Sequence, residues 1–206
     1  MIEAVLFDLG GVLLASPFEA IEQYERERGL PPGTVRRINS ADPDGNAWAR
    51  IERGEIDMAT FAALFEAEAR SHGVEVGAFD VLALLFGDVR PEMVTAVERL
   101  REAGLRVGIV SNTTSPLPRS GAVGELLARF DVVVESFVVG LRKPDPEIYR
   151  LALRKLGVAA DATVFLDDLG VNLKAARALG IQTIKVTDPG VALRQLADLT
   201  GVDVLS

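Results

Sequence analysis

Hydrophobic positions in this chain follow two rhythms. Near-continuous apolar runs stand at residues 4–7, 105–110, 132–135, 163–167 and 181–186. Each is too short for a helix and reads as a strand buried on both faces, as in a parallel sheet. Between the later runs, apolar residues recur at helical spacing over Pro91–Ala103, Pro146–Leu156 and Leu173–Leu179. Strand and helix therefore alternate from Arg90 onward, which predicts right-handed βαβ crossovers and a doubly wound parallel sheet. From Ser16 to Gly87 the signals are helical throughout. Pro17 opens one helix, with Phe18, Ile21 and Tyr24 on one face and Gly29 closing it. Thr60, Phe61, Leu64, Phe65 and Ala69 mark a second helix ending near His72-Gly73, and Val81–Phe86 ends a third. The expected organisation is an α/β core of residues 1–15 and 88–206, with a helical cap, 16–87, inserted after the first strand.

Composition narrows the classes. At 206 residues, 49% apolar and 25% charged, the chain can bury one sizeable core. A net charge of −8 argues against nucleic-acid and anionic-membrane partners, yet leaves room for a small phosphorylated substrate, because local cations can focus an anion. The absence of Cys removes disulfides, thiolate metal sites and Cys nucleophiles, and a single His, His72, makes a His-rich zinc site untenable. No apolar stretch reaches 18 residues and no basic segment precedes the first run, so the expectation is a soluble, cytoplasmic protein, monomer or homodimer.

Four predicted strands end in residues with chemistry. The first delivers Asp8, with Gly10 and Gly11 just beyond it. The second ends in Ser111-Asn112-Thr113, the third runs into Gly140-Leu141-Arg142-Lys143-Pro144-Asp145-Pro146, and the fourth ends Asp167-Asp168-Leu169-Gly170-Val171-Asn172. A parallel sheet presents such residues at its carboxyl edge, where they can share one crevice. Together they offer a nucleophile, polar donors, a cation and an acid pair, the equipment for attack on a phosphate through a divalent cation. Plainer roles stand beside each. Asp before Gly forms turns, Ser-Asn starts loops, and Asp167-Asp168 can cap the helix that follows.

The stretches AVLFDLGGVL, IVSNTT, GLRKPDPEIY and VFLDDLGVNLKAARALG, in this order and spacing, resemble the haloacid dehalogenase-like hydrolase superfamily. Within it the chain is similar to the subgroup that includes the N-terminal phosphatase domain of soluble epoxide hydrolases. The resemblance spans essentially the whole chain and implies a Rossmann-like core with a helical cap. It implies an Mg²⁺-dependent phosphatase acting on a small phosphorylated metabolite. Asp8 would be the nucleophile and a metal ligand, the backbone carbonyl of Gly10 and Asp168 would complete the metal site, and Asp167 and Asn172 would stand behind them. Ser111, Asn112 and Lys143 would hold the phosphate, Lys143 also steadying the nucleophile.

Gly10 departs from the pattern, since most phosphatases of the superfamily carry a second Asp there as general acid and base. Such help contributes about 10²–10⁴-fold, so the chain should favour leaving groups of low pKa unless a cap residue or water supplies the proton. A glycine there can also hold a backbone conformation closed to Asp. The same departure keeps two other readings open, a dehalogenase-type attack on carbon and a phosphate-binding regulatory protein of weak activity. In the cap stretch Asn46–Glu55, Trp48 reads as core packing, with a ligand platform as the alternative. Arg142 reads as a surface or cap-facing residue. His72 reads as an exposed residue in a helix's last turn, with a substitute acid as the alternative.

Overall fold

The computed structural model describes residues 1–205. Five parallel strands form one sheet in the order β3-β2-β1-β4-β5: β1 Ala4–Phe7, β2 Arg106–Ser111, β3 Val132–Glu135, β4 Thr163–Asp167 and β5 Gln182–Lys185. The central position of β1 explains its uniform burial, since both of its edges are paired and both faces are covered. Successive side chains serve opposite layers. Val5 and Phe7 join Met93, Val97 and Leu100 of α6 (Pro91–Glu102) and Leu193 and Leu196 of α11 (Pro189–Thr200). Ala4 and Leu6 join Ile148, Tyr149 and Ala152 of α9 (Pro146–Leu156) and Leu173 and Ala176 of α10 (Gly170–Ala178).

Residues 16–87 form five α-helices: α1 Pro17–Glu27, α2 Thr34–Ala41, α3 Ala47–Glu52, α4 Met58–Ser71 and α5 Ala78–Ala83. They close a cluster of their own around Phe61, Phe65, Ile51, Ile38 and Val81. The two connections to the core run antiparallel. Leu14 bridges Val89, Ala15 N–H donates to Asp88 O, and Arg90 N–H donates to Leu13 O. The contact is so close that a Cβ on Gly87 would lie 2.8 Å from both Cβ and O of Ala15, so only glycine fits there.

Several elements differ from the sequence expectation. The strand expected from Leu105 begins at Arg106 and extends to Ser111, because Ser111 still pairs with Glu135 of β3. Helix α10 starts three residues before Leu173, and β5 is two residues shorter than the apolar run. Helices α2 and α3, α7 (Gly121–Leu127), the single turn α8 (Ser136–Val139) and α11 were not anticipated. The first four are too short for helical periodicity to register over a window. Helix α11 carries legible signals, an Asp188 N-cap, Pro189 at its first turn and Gly201 at its end.

Candidate active site

Strand addition reverses direction between β1 and β4, so their carboxyl ends flank the crevice where an open parallel sheet takes its ligand. Phe7 pairs in register with Leu166, and Asp8 and Asp167 therefore leave the sheet side by side. Lys143 enters from the loop before α9. Its Nζ lies 2.8 Å from Asp8 Oδ1 and 2.7 Å from Asp167 Oδ2, and the residue is 1% exposed. Asp167 is fully buried and also accepts from Leu169 N–H at 2.8 Å and from Asn172 Nδ2 at 3.1 Å. Tyr149 OH donates to the Asn172 carbonyl at 3.0 Å and holds that residue in turn. Asp8 Oδ1 takes a further bond from Leu9 N–H at 2.7 Å, leaving Oδ2 without a partner among the described residues.

Asp168 completes the group, for carboxylate oxygens of Asp8, Asp167 and Asp168 all lie within 4.8 Å of one another. A Cβ on Gly11 would sit 2.2 Å from Asp168 Oδ2, and Gly11 has φ +75° besides, so glycine is demanded there by space and by conformation. Gly10 is different. Its φ of −69° and ψ of 134° suit any residue, and nothing lies within 4 Å of its would-be Cβ. The backbone and the space at Gly10 are thus open to Asp.

Charge in this group is out of balance. Three carboxyl groups face one buried ammonium, an excess of two negative charges were all three ionised. Burial pushes the Asp8 carboxyl from 3.8 up to about 8; Lys143 pulls it back, while Asp167 and Asp168 push it further. Asp168 rises to about 6, through burial first and then through Asp167. For Lys143 burial works downward, but Asp167 and Asp8 outweigh it and hold the ammonium above its usual range. A divalent cation with a taste for hard oxygen ligands fits such a donor set in both charge and chemistry.

Ser111 and Asn112 stand at the end of the neighbouring strand β2. Ser111 is 3% exposed and its hydroxyl makes a single long contact, 3.5 Å to Asn112 O. The Asn112 side chain is engaged with the chain itself: its Oδ1 accepts Lys143 N–H at 2.8 Å, and its Nδ2 donates to Lys143 O at 3.0 Å. Close by, the buried Thr113 hydroxyl has no partner among the described residues.

Sequence reasoning missed Glu52, at the end of α3. Its Oε2 accepts from Arg142 Nε at 2.6 Å and from Asn112 Nδ2 at 3.2 Å, and its Oε1 accepts from Trp48 Nε1 at 3.1 Å. Arg142 faces the helical block, as one of its two readings held, and also donates to Pro43 O at 2.8 Å. Trp48 packs against Phe61 and Phe65, with ring centroids at 5.4 and 5.8 Å, the packing reading. His72 is the exposed C-cap of α4, and no described contact ties it to the carboxylates. A cavity of about 300 Å³ lies at the seam, lined by Asp44, Arg53, Arg142, Pro144 and Asp145. A larger, open depression of about 540 Å³ over Arg150, Arg154 and Val158 lies toward the other end of α9 and has no part in this chemistry.

A family model described as haloacid dehalogenase-like hydrolase matches residues 2–180. The chain belongs to that family. Acyl-CoA dehydrogenase family member 10 of Mus musculus is 35% identical over 96% of this hydrolase and 19% of its own length. Bifunctional epoxide hydrolase 2 of Sus scrofa is 33% identical over 99% of this chain and 40% of its own. The chain thus spans less than half the length of these two relatives. Sesquiterpene phosphatase astK of Aspergillus oryzae is 28% identical over 97% of each chain. Among solved structures, a variant of a haloacid dehalogenase-like enzyme of Bacteroides thetaiotaomicron, in complex with magnesium and inorganic phosphate, shares the fold. Its TM-score is 0.61 and its identity 23%, over 90% of this chain and 94% of its own. In this haloacid dehalogenase-like hydrolase no described helix is long and apolar enough to cross a membrane.

Proposed function

We propose that this hydrolase is an Mg²⁺-dependent phosphatase that cleaves a small phosphorylated metabolite through an aspartyl-phosphate. The observation that carries the reading is the Lys143 ammonium between Asp8 and Asp167, beside a third acid, at the sheet's switch point. Asp8 Oδ2, which takes no hydrogen bond among the described residues, attacks phosphorus; the bond to the leaving oxygen breaks, and that oxygen takes a proton from water. Water then attacks the phosphorus of the aspartyl-phosphate, giving inorganic phosphate and returning the Asp8 carboxylate. Lys143 offsets charge on Asp8 and on the transferring group, a stabilisation worth most in a buried site. The Ser111 hydroxyl and nearby backbone N–H groups bind phosphate oxygens, with Asn112 holding the main chain of Lys143. Asp8, the Gly10 carbonyl and Asp168 would hold Mg²⁺, which would supply neutralisation of phosphate charge. Asp167 is filled by its own donors and stays behind the metal with Asn172. Residues 16–87 serve as the cap that borders the substrate, their Glu52 reaching the core at Asn112 and Arg142.

Gly10 gives the carbon-attacking dehalogenase its one supporting observation, because a departing halide needs no proton. The crowded acids weigh against it, since such a reaction has no use for a divalent cation. Hydrolysis of p-nitrophenyl phosphate by the parent and by Asp8→Asn, with Mg²⁺ and with a chelator, tests the proposal. Asp8→Asn should lose more than about 10³-fold in kcat while melting with the parent, as removal of a nucleophile does. Parent-like turnover by the Asn variant, or activity indifferent to chelation, would overturn the reading.

A further inference from the structure

Glu52 is a buried acid that the proposed reaction does not use. It is 7% exposed, and it comes from the helical block yet bonds to two residues of the core. Two roles are open to it, the proton donor that Gly10 lacks or a support for another residue. The hydrogen bonds decide. Both carboxylate oxygens already accept, Oε1 from Trp48 and Oε2 from Arg142 and Asn112. A protonated Glu52 would turn one of these oxygens toward a donor, at the expense of a charge-assisted bond. As an acceptor it is satisfied; as an acid it is badly placed.

The bonds continue inward. The Asn112 amide, oriented by Glu52, clasps the N–H and the carbonyl of Lys143, whose ammonium stands between Asp8 and Asp167. Arg142, the residue before Lys143, bonds to Glu52 and to Pro43 O, both in the helical block. One carboxylate of the block therefore bonds to two side chains of the core, that of Asn112, which clasps the main chain of Lys143, and that of Arg142, the residue before it.

We propose that Glu52 is a positioning residue that, through Asn112 and Arg142, sets the backbone of Lys143 and so couples docking of the helical block to placement of its ammonium. This rests on the reading of Asp8 and Lys143 as the reacting pair. A misplacement of about 1 Å can cost on the order of 10²-fold in rate. Glu52→Ala should then lower kcat on p-nitrophenyl phosphate about 10–100-fold, with KM changed much less. Glu52→Gln keeps the shape and one acceptor, and should show a smaller loss in the same parameter. Because part of the effect runs through Asn112, the loss caused by Glu52→Ala should be smaller in an Asn112→Ala background than in the parent.

Amide exchange supplies a readout independent of turnover. In Glu52→Ala, without metal, the Lys143 amide (bonded to Asn112) should exchange faster, while the Asp8 amide, bonded to Leu166 O, stays as in the parent. Parent-like kcat in both Glu52 variants, full additivity with Asn112→Ala, or an unchanged Lys143 amide would overturn the proposal. Should Glu52→Ala fail to fold, Glu52→Gln carries the same comparisons. A parent that hydrolyses no phosphate ester would sink the phosphatase reading instead, and the exchange result would still decide the role of Glu52.

Discussion

Two buried ion pairs in this molecule sit close together and are built differently. At the sheet edge, Lys143 and Asp167 are 1% and 0% exposed, and Asp167 is filled by donors from its own loop and from Asn172. At the seam, the side chains of Arg142 and Glu52 are 20% and 9% exposed, and their bonds cross between the helical block and the core. In the first pair Asp167 is set by neighbouring strand ends in fixed register, and Lys143 reaches it from the loop before α9. The second exists only where two separately packed clusters meet. Groups held by the sheet have one position. Groups held across a seam have a position only while the seam is closed.

Lys143→Met should cost about 3–5 kcal/mol of stability near neutral pH, as expected when one partner of a buried pair is removed. It should also remove most activity. Arg142→Met should cost only about 1–2 kcal/mol, since Glu52 keeps its bonds from Trp48 and Asn112. Denaturant unfolding of both variants reads the difference, and equal losses would mean that the edge is no more fixed than the seam.

The acid missing at Gly10 gives the next effect. Gly10→Asp meets no steric obstacle, because the position is open and its backbone ordinary. The added carboxyl should speed single-turnover phosphorylation of Asp8 by alkyl phosphates about 10–100-fold more than by aryl phosphates, since only the former need their leaving oxygen protonated. Equal gains in a variant that melts like the parent would show that another group already supplies the proton.

A smaller effect follows from pH. Without metal, folding raises the Asp8 pKa from 3.8 to about 8, so over that range the folded chain binds more protons than the unfolded one. Stability from this group is therefore lost as pH climbs from about 4 to 8. Metal ligands must be deprotonated, and Asp168, at about 6, joins Asp8 in that requirement. The rise in Tm produced by a fixed Mg²⁺ concentration should grow between about pH 6 and pH 8. A constant or shrinking rise in thermal melts would contradict the assignment of these acids to the metal.

The same contrast marks what the amino-acid sequence disclosed. Asp8, Ser111, Asp167 and Asp168 were legible because buried parallel strands read as apolar runs and their carboxyl ends are the places to look. Lys143 became legible through the resemblance that its surrounding residues carry, as its role does not follow from a cation before a proline. Glu52 stayed hidden because its partners Arg142 and Asn112 lie 90 and 60 residues away, and no local pattern announces a buried acid whose donors come from another element. Trp48, four residues before it on α3, was the nearest hint. Helix α3 itself is a six-residue element whose buried face shows only against α4.

The proposed reaction is a double displacement at phosphorus with Asp8 as the first nucleophile. A phosphorothioate monoester made chiral at phosphorus by its sulfur and two oxygen isotopes, hydrolysed by the Mg²⁺-loaded parent in water carrying the third isotope, decides it. Each in-line displacement inverts phosphorus, so passage through an aspartyl-phosphate predicts inorganic thiophosphate of retained configuration. Inversion would mean that water attacks the ester directly, and Asp8 would then hold the site together without ever carrying the phosphoryl group.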